Sequence, residues 1–231
     1  MNQIEVENLA VKKGDASILK GIEFSAKQGE FVAIVGGSGS GKTTFLQALA
    51  GFIPFSGKVI MPENKGMIFQ QYAAFPWLTV RENIMFGLDK HAPEQREKIV
   101  AEHIRLSRLE GKENDYPGQL SGGQIQRVAL ARSLAHDPEV LLMDEPYGAL
   151  DAYTRDQMQE WLMDVWTKYK KTIIFVTHNI EEAIFMADRV LVLKEGKFTE
   201  EFKIEFKRPR KEEIKFMEEF NRMKKEIYRA I

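Results

Sequence analysis

Residues 36–44, GGSGSGKTT, constrain this chain more than any other stretch. Gly36, four intervening residues, then Gly41, Lys42 and Thr43 match the phosphate-loop pattern G-x-x-x-x-G-K-[ST]. The flanks suit it. Residues 30–35, EFVAIV, form a short apolar run that reads as a buried parallel strand. Residues 45–50, FLQALA, continue as a helix that Gly51 closes as its C-cap. Between the two, backbone N–H groups can curl round a phosphate while the helix N-terminus adds its positive end. Gly36, Ser38, Gly39, Ser40, Gly41 and Thr44 are therefore candidate phosphate contacts. Lys42 can reach the β- and γ-phosphates, and the Thr43 hydroxyl can ligate Mg²⁺. The stretch implies a bound nucleotide.

The rest of the chain has α/β character. Apolar and polar residues alternate over 2–28, through Ile4, Val6, Leu9 and Val11, then Ile18, Leu19, Ile22 and Phe24. That pattern predicts antiparallel strands turning at Lys13, Gly14 and Asp15. Two further short strands are expected at 58–61 and 66–69, after a turn framed by Pro54 and Gly57. Residues 76–135 change to helical segments, opened by a capping box of Thr79 and Glu82. Apolar strands return at 140–143 and 173–176, with a long helix at about 154–170 between them. A helical insertion thus separates two parts of one sheet. In the tail from residue 207, Ile214, Met217, Phe220, Met223 and Ile227 recur at helical spacing, and a terminal helix docked on its own domain is expected.

The strand at 140–145, VLLMDE, ends in two carboxylates. Lying beside the phosphate loop, it would deliver Asp144 to the Mg²⁺ shell and turn Glu145 toward the γ-phosphate, where it can polarise water. Residues 120–124, LSGGQ, are a second glycine turn feeding a helix N-terminus, another arrangement suited to an anion. With 33 basic and 34 acidic residues, charge gives no support to a nucleic-acid partner. The absence of cysteine excludes disulfides and thiolate metal sites. No window approaches 18 uninterrupted apolar residues, so no spanning helix is expected.

Six motifs in order make the chain resemble the ATP-binding family of ABC transporters from about residue 3 to residue 200. They are the phosphate loop, Gln70 after a strand, LSGGQ, Asp144-Glu145, Asp151 in ALD, and His178 in FVTH. The resemblance implies a P-loop NTPase (RecA-like) core with an antiparallel β subdomain and an inserted helical subdomain. It implies one ABC ATPase domain over 1–231: about 1–75 and 137–206 the nucleotide-binding core, 76–136 the insertion, 207–231 a helical tail. It also implies ATP with Mg²⁺, and a head-to-tail homodimer closing over two nucleotides. Ser121 and Gly123 would then meet the partner's γ-phosphate and Asp151 would work across the dimer. Gln70 would contact Mg²⁺ or the lytic water, and His178 would hold the γ-phosphate and position Glu145. His91, His103 and His136 are expected to be solvated and without partners.

Residues 75–83 (FPWLTVREN), 144–155 (DEPYGALDAYTR) and 208–210 (RPR) look like the nitrate/sulfonate/taurine-type importers, a group that also takes up thiamine-pyrimidine precursors. The expected partners are integral-membrane permease subunits, gripped near Phe75, Pro76, Trp77 and Phe86, and indirectly a periplasmic or lipid-anchored solute-binding protein. The expected location is the cytoplasmic face of the membrane. The alternative, a soluble ABC ATPase of translation or DNA repair, usually carries two cassettes or a long inserted coiled coil. A non-hydrolysing regulatory cassette is argued against by Glu145 and His178. One departure stands out. The family often places an aromatic on adenine at the end of the first strand, and Lys13 stands there, with no aromatic before Phe24.

Overall fold

A computed structural model describes residues 2–69 and 74–231. Strands β1 (Asn2–Lys13) and β2 (Ala16–Lys27) pair antiparallel around the expected turn, where Gly14 has φ 59°. Apolar residues on β1 step by three from Val6 to Leu9, which strict alternation forbids. The register shifts between those two residues, with Asn8 at φ 50°. This bulge returns Leu9 to the buried face beside Ile4 and Val6.

Strand β3 (Phe31–Val35) is buried along its whole length and leads through the glycine loop into helix α1 (Lys42–Ala50), closed at Gly51. Of the two short strands that follow, β4 (Ser56–Ile60) joins β1 and β5 (Lys65–Ile68) joins the main sheet. Helices α2 (Val80–Met85), α3 (Pro93–Leu106) and α4 (Gly122–Ala135) share a core of their own, built from Val80, Ile84, Val100, Ile104, Val128 and Ala131. The box of Thr79 and Glu82 caps α2 as expected. Asn83, fully buried on α2, accepts from the Phe75 N–H and donates to the carbonyls of Phe75, Leu78 and Thr79. One side chain thereby fixes the aromatic loop ahead of the helix.

The chain then runs through β6 (Val140–Asp144), α5 (Ala152–Tyr169), β7 (Thr172–Val176), α6 (Ile180–Met186), β8 (Arg189–Lys194) and β9 (Lys197–Lys203). The six-stranded order is β5-β6-β7-β3-β8-β9, parallel except for β9. In this order β7 lies between β3 and β6. Helix α1 crosses the sheet and packs on both β6 and β7. Its N-terminus therefore comes over the end of β6.

The tail docks inward. Helix α7 (Glu218–Ala230) buries Phe220 and Ile227 in the main core, while Met217, expected on the same stripe, is about half exposed. The RPR stretch has a physical reason. Arg210 donates to the carbonyls of Ile184, Phe185 and Ala187, and Arg208 to that of Met186, so the two arginines satisfy the orphan carbonyls at the end of α6.

Candidate active site

The loop between β3 and α1 is pressed against the β8–β9 turn. Ser40 O accepts from the Gly196 N–H at 3.2 Å, and a Cβ on Gly36 would lie 2.2 Å from the Leu193 carbonyl oxygen. Only glycine fits at position 36. Lys42 is buried on this loop, its ammonium donating to the carbonyls of Gly36 and Gly37, each at 2.9 Å. Burial pulls its pKa below the ordinary lysine value, with the Glu145 and Asp144 carboxylates opposing. The Ser40 hydroxyl is buried beside Gly36 with no hydrogen-bond partner among the described residues, and it is not part of the lining of the groove above the loop.

At the end of β6, the Thr43 hydroxyl donates to Asp144 Oδ1 at 3.1 Å. Burial raises the Asp144 pKa, and the bond from Thr43 works against that rise. Glu145 follows at φ 44°, a left-handed conformation rare for such a residue, held by its N–H bonding the Val176 carbonyl at 2.9 Å. This turns the Glu145 side chain to His178, whose Nδ1 lies 2.9 Å from Glu145 Oε2. An ionised carboxylate only accepts, so Nδ1 carries the proton in that pair. Lys42, Thr43, Glu145, His178, Ser38 and Gly39 line one groove of about 620 Å³, together with Gly41, Thr44, Lys13 and Ile18.

The second glycine turn is elsewhere. Ser121 caps α4, accepting from the Gln124 N–H at 3.3 Å, while Gln124 Oε1 accepts from the Ser121 N–H at 2.9 Å. This is a reciprocal S-x-x-Q capping box, whose Ser and Gln at three-residue spacing are its signal in the sequence. A Cβ on Gly123 would fall 2.6 Å from the Thr154 methyl carbon, so this turn sits against the start of α5. There Asp151 accepts from the N–H and hydroxyl of Thr154, and these bonds hold its carboxyl below the ordinary range. Ser121, Gly123 and Asp151 thus form one neighbourhood, separate from the residues lining the Lys42 groove. Gln70 lies outside the described residues.

Two histidines depart from expectation. His103 Nδ1 is 2.8 Å from the Ile99 carbonyl oxygen on its own helix, and His136 Nε2 is 3.0 Å from that of Phe86. Each makes a backbone contact that sequence spacing alone does not announce. The sequence reading also passed over Thr177, Arg155 and Glu182, which meet behind the site. Their only signal was a glutamate near the start of a helix.

The sequence profile of the ABC transporter family matches residues 19–148. The chain is 43% identical over 234 residues to an uncharacterized ABC transporter ATP-binding protein of Methanocaldococcus jannaschii, covering 94% of this chain and 88% of that one. It is 48% identical over 201 residues to an aliphatic sulfonates import ATP-binding protein of Shouchella clausii, covering 86% of this chain and 80% of that one. In structure it resembles a dimeric ATP-binding cassette in a post-hydrolysis state bound to ADP and phosphate. The TM-score is 0.77 at 32% identity, over 88% of this chain and all of that one. By these likenesses, and by a phosphate loop meeting a carboxylate pair at the ends of a parallel sheet, the chain belongs to the ABC transporter family as an ATP-binding subunit with ATPase activity.

Proposed function

We propose that this subunit energises uptake of a small solute of the nitrate, sulfonate or taurine kind through a separate membrane permease. One observation carries the chemistry: Thr43, hydrogen-bonded to the buried Asp144, and a Glu145–His178 pair line the same groove as Lys42. The donor set fits a nucleotide with Mg²⁺, since Lys42 lines the groove as a cation and Thr43 and Asp144 offer hard oxygens side by side. Thr43, Asp144 and, from outside the described residues, Gln70 would hold the ion, which when bound offsets charge on the phosphates. Lys42 would exchange the Gly36 and Gly37 carbonyls for phosphate oxygens. Gly36, Ser38, Gly39, Ser40, Gly41 and Thr44 cradle them. Glu145 orients the attacking water and takes up its proton, and His178 keeps that carboxylate in place.

The second anion turn then belongs to another copy. Ser121 and Gly123 stand away from the chain's own groove, so a head-to-tail homodimer would bring them to the partner's γ-phosphate, with Asp151 beside them. The division into a core at 1–75 and 137–206, an insertion at 76–136 and a tail at 207–231 is part of this reading. The insertion would grip the permease at the aromatic loop. Trp77 is 69% and Phe86 53% exposed, and Phe75 packs between them with ring centroids at 5.5 and 4.6 Å. Among the described residues no helix is long and apolar enough to cross a membrane. The permease would therefore hold the subunit at the cytoplasmic face and link it indirectly to a solute-binding protein. Relatives named for import support this reading over a role in translation or DNA repair.

The test is transport by the reconstituted permease complex with an aliphatic sulfonate as solute. Uptake that depends on ATP and on this subunit is expected. An intact ATPase that drives no such uptake would remove the substrate class. In the same assay, Trp77→Ala or Phe86→Ala should cut transport about tenfold or more while the isolated subunit's ATPase stays within about twofold, as expected for exposed anchors. Equal losses in both assays, with a lower melting temperature, would make these rings part of the helical core.

Among the described residues that line the groove, Lys13 and Ile18 included, there is no Phe, Tyr or Trp to cover a base. Stacking on such a ring, worth about 1 kcal/mol, is then missing, and the lysine stem would lie on adenine instead. Weak ATP binding with poor preference over GTP is expected, and Lys13→Tyr should tighten ATP binding by less than about tenfold without changing saturated turnover. Titrations of both nucleotides on both proteins measure it. Strong ATP preference in the wild type would mean another side chain covers the base.

A further inference from the structure

Behind the Glu145–His178 pair lies a buried carboxylate for which the reaction as described has no use. Glu182, on the first turn of α6, is only 5% exposed. Its two oxygens serve different segments. Glu182 Oε2 accepts from the Thr177 hydroxyl at 2.7 Å, and Thr177 directly precedes His178. Glu182 Oε1 lies 3.4 Å from Arg155 Nε, and the other end of that guanidinium donates to the Leu150 carbonyl at 2.9 Å, one residue before Asp151. Thr177 is itself nearly inaccessible, and its hydroxyl also accepts from the Asn179 N–H at 3.0 Å. The stretch carrying His178 is thus held on both sides of the histidine.

A buried charge is retained at a cost in desolvation unless its partners are well placed. Burial raises the Glu182 pKa, while Thr177, Arg155 and His178 all favour the charged form. A simple anchor for α6 would need neither the His178 stretch nor the turn at 146–151. Glu182 holds both. The Tyr147 hydroxyl in that turn is buried with no hydrogen-bond partner among the described residues and feels the same carboxylate.

From this geometry we infer that Glu182 is a positioning residue for hydrolysis, tying the His178 stretch to the turn between Glu145 and Asp151 so that the groove and the dimer-facing carboxylate are set together. The inference rests on the ATPase reading above and extends it to a residue that touches no nucleotide. Glu182→Gln keeps the shape and an acceptor for Thr177 but removes the charge facing Arg155. Its expected effect is a loss of about tenfold in kcat, with KM for ATP within about twofold and cooperative unfolding retained. In a His178→Ala background the same change should cost less than about twofold, because residues acting as one unit do not lose activity additively. Thr177→Val, tested in the same two backgrounds, carries the same decision if Glu182→Gln fails to fold. A folded variant with unchanged kcat, or losses that multiply independently of His178, would overturn the inference. Failure of the underlying reading looks different: the wild type would lack ATPase activity, or His178→Ala would leave it intact.

Discussion

Glu145→Gln is expected to bind ATP as the wild type does and to turn it over at least about a hundredfold more slowly, the contribution typical of a positioned general base. The geometry explains the separation of the two effects. Lys42 donates to the Gly36 and Gly37 carbonyls and Thr43 to Asp144, bonds that do not run through Glu145, whose backbone is fixed by its own bond to Val176. Glutamine keeps that backbone and can still meet His178 Nδ1 through its amide oxygen. It can no longer accept a proton from water. Binding should therefore survive while chemistry stops, and a homodimer closed on ATP should accumulate. Phosphate release and size exclusion with and without ATP measure the two halves. Wild-type turnover in this variant would remove Glu145 from the reaction; loss of ATP binding would place it among the groove's structural supports.

Local features of this site were open to inspection because they are local in the chain. The phosphate loop, the capping box at Thr79, the closure of α1 at Gly51 and the strand ending in Asp144 each occupy a few consecutive residues whose chemistry dictates one geometry. What joins them was not open in the same way. Thr43 and Asp144 meet across a separation of 101 residues, and spacing gives no hint that β7 lies between β6 and the strand β3 that leads into the phosphate loop. Strand β8 and the edge strand β9 went unread because their role is set by partners, with Val190 and Leu191 pairing β3 and β9 at once. Glu182 and Arg155 look like two solvated helix charges until packing buries one beside the other. The partners of His103 and His136 are backbone carbonyls, which every residue offers and no pattern singles out.

Ser121→Arg is expected to abolish ATP turnover, by about a hundredfold or more, although residue 121 lies outside the groove of its own chain. Within the subunit the change removes an N-cap, a loss of about 1 kcal/mol, and places a bulky cation at an exposed turn. The fold and ATP binding by the isolated subunit should persist. The damage falls on the dimer, where the arginine would fill the space meant for a partner's phosphate. Lys42→Ala fails for the opposite reason, since its phosphate loop is weakened while its Ser121 turn is sound. Mixed together, the two variants can form a dimer in which the Ser121→Arg subunit supplies an intact phosphate loop and the Lys42→Ala subunit an intact glycine turn. That dimer has one complete site of two. In a background carrying Glu145→Gln to prevent turnover, one nucleotide should be trapped in each closed mixed dimer, while neither variant alone should form a closed dimer on ATP. A closed, nucleotide-trapping dimer of Ser121→Arg alone would show that residue 121 is not part of the composite site, and the head-to-tail arrangement would fall.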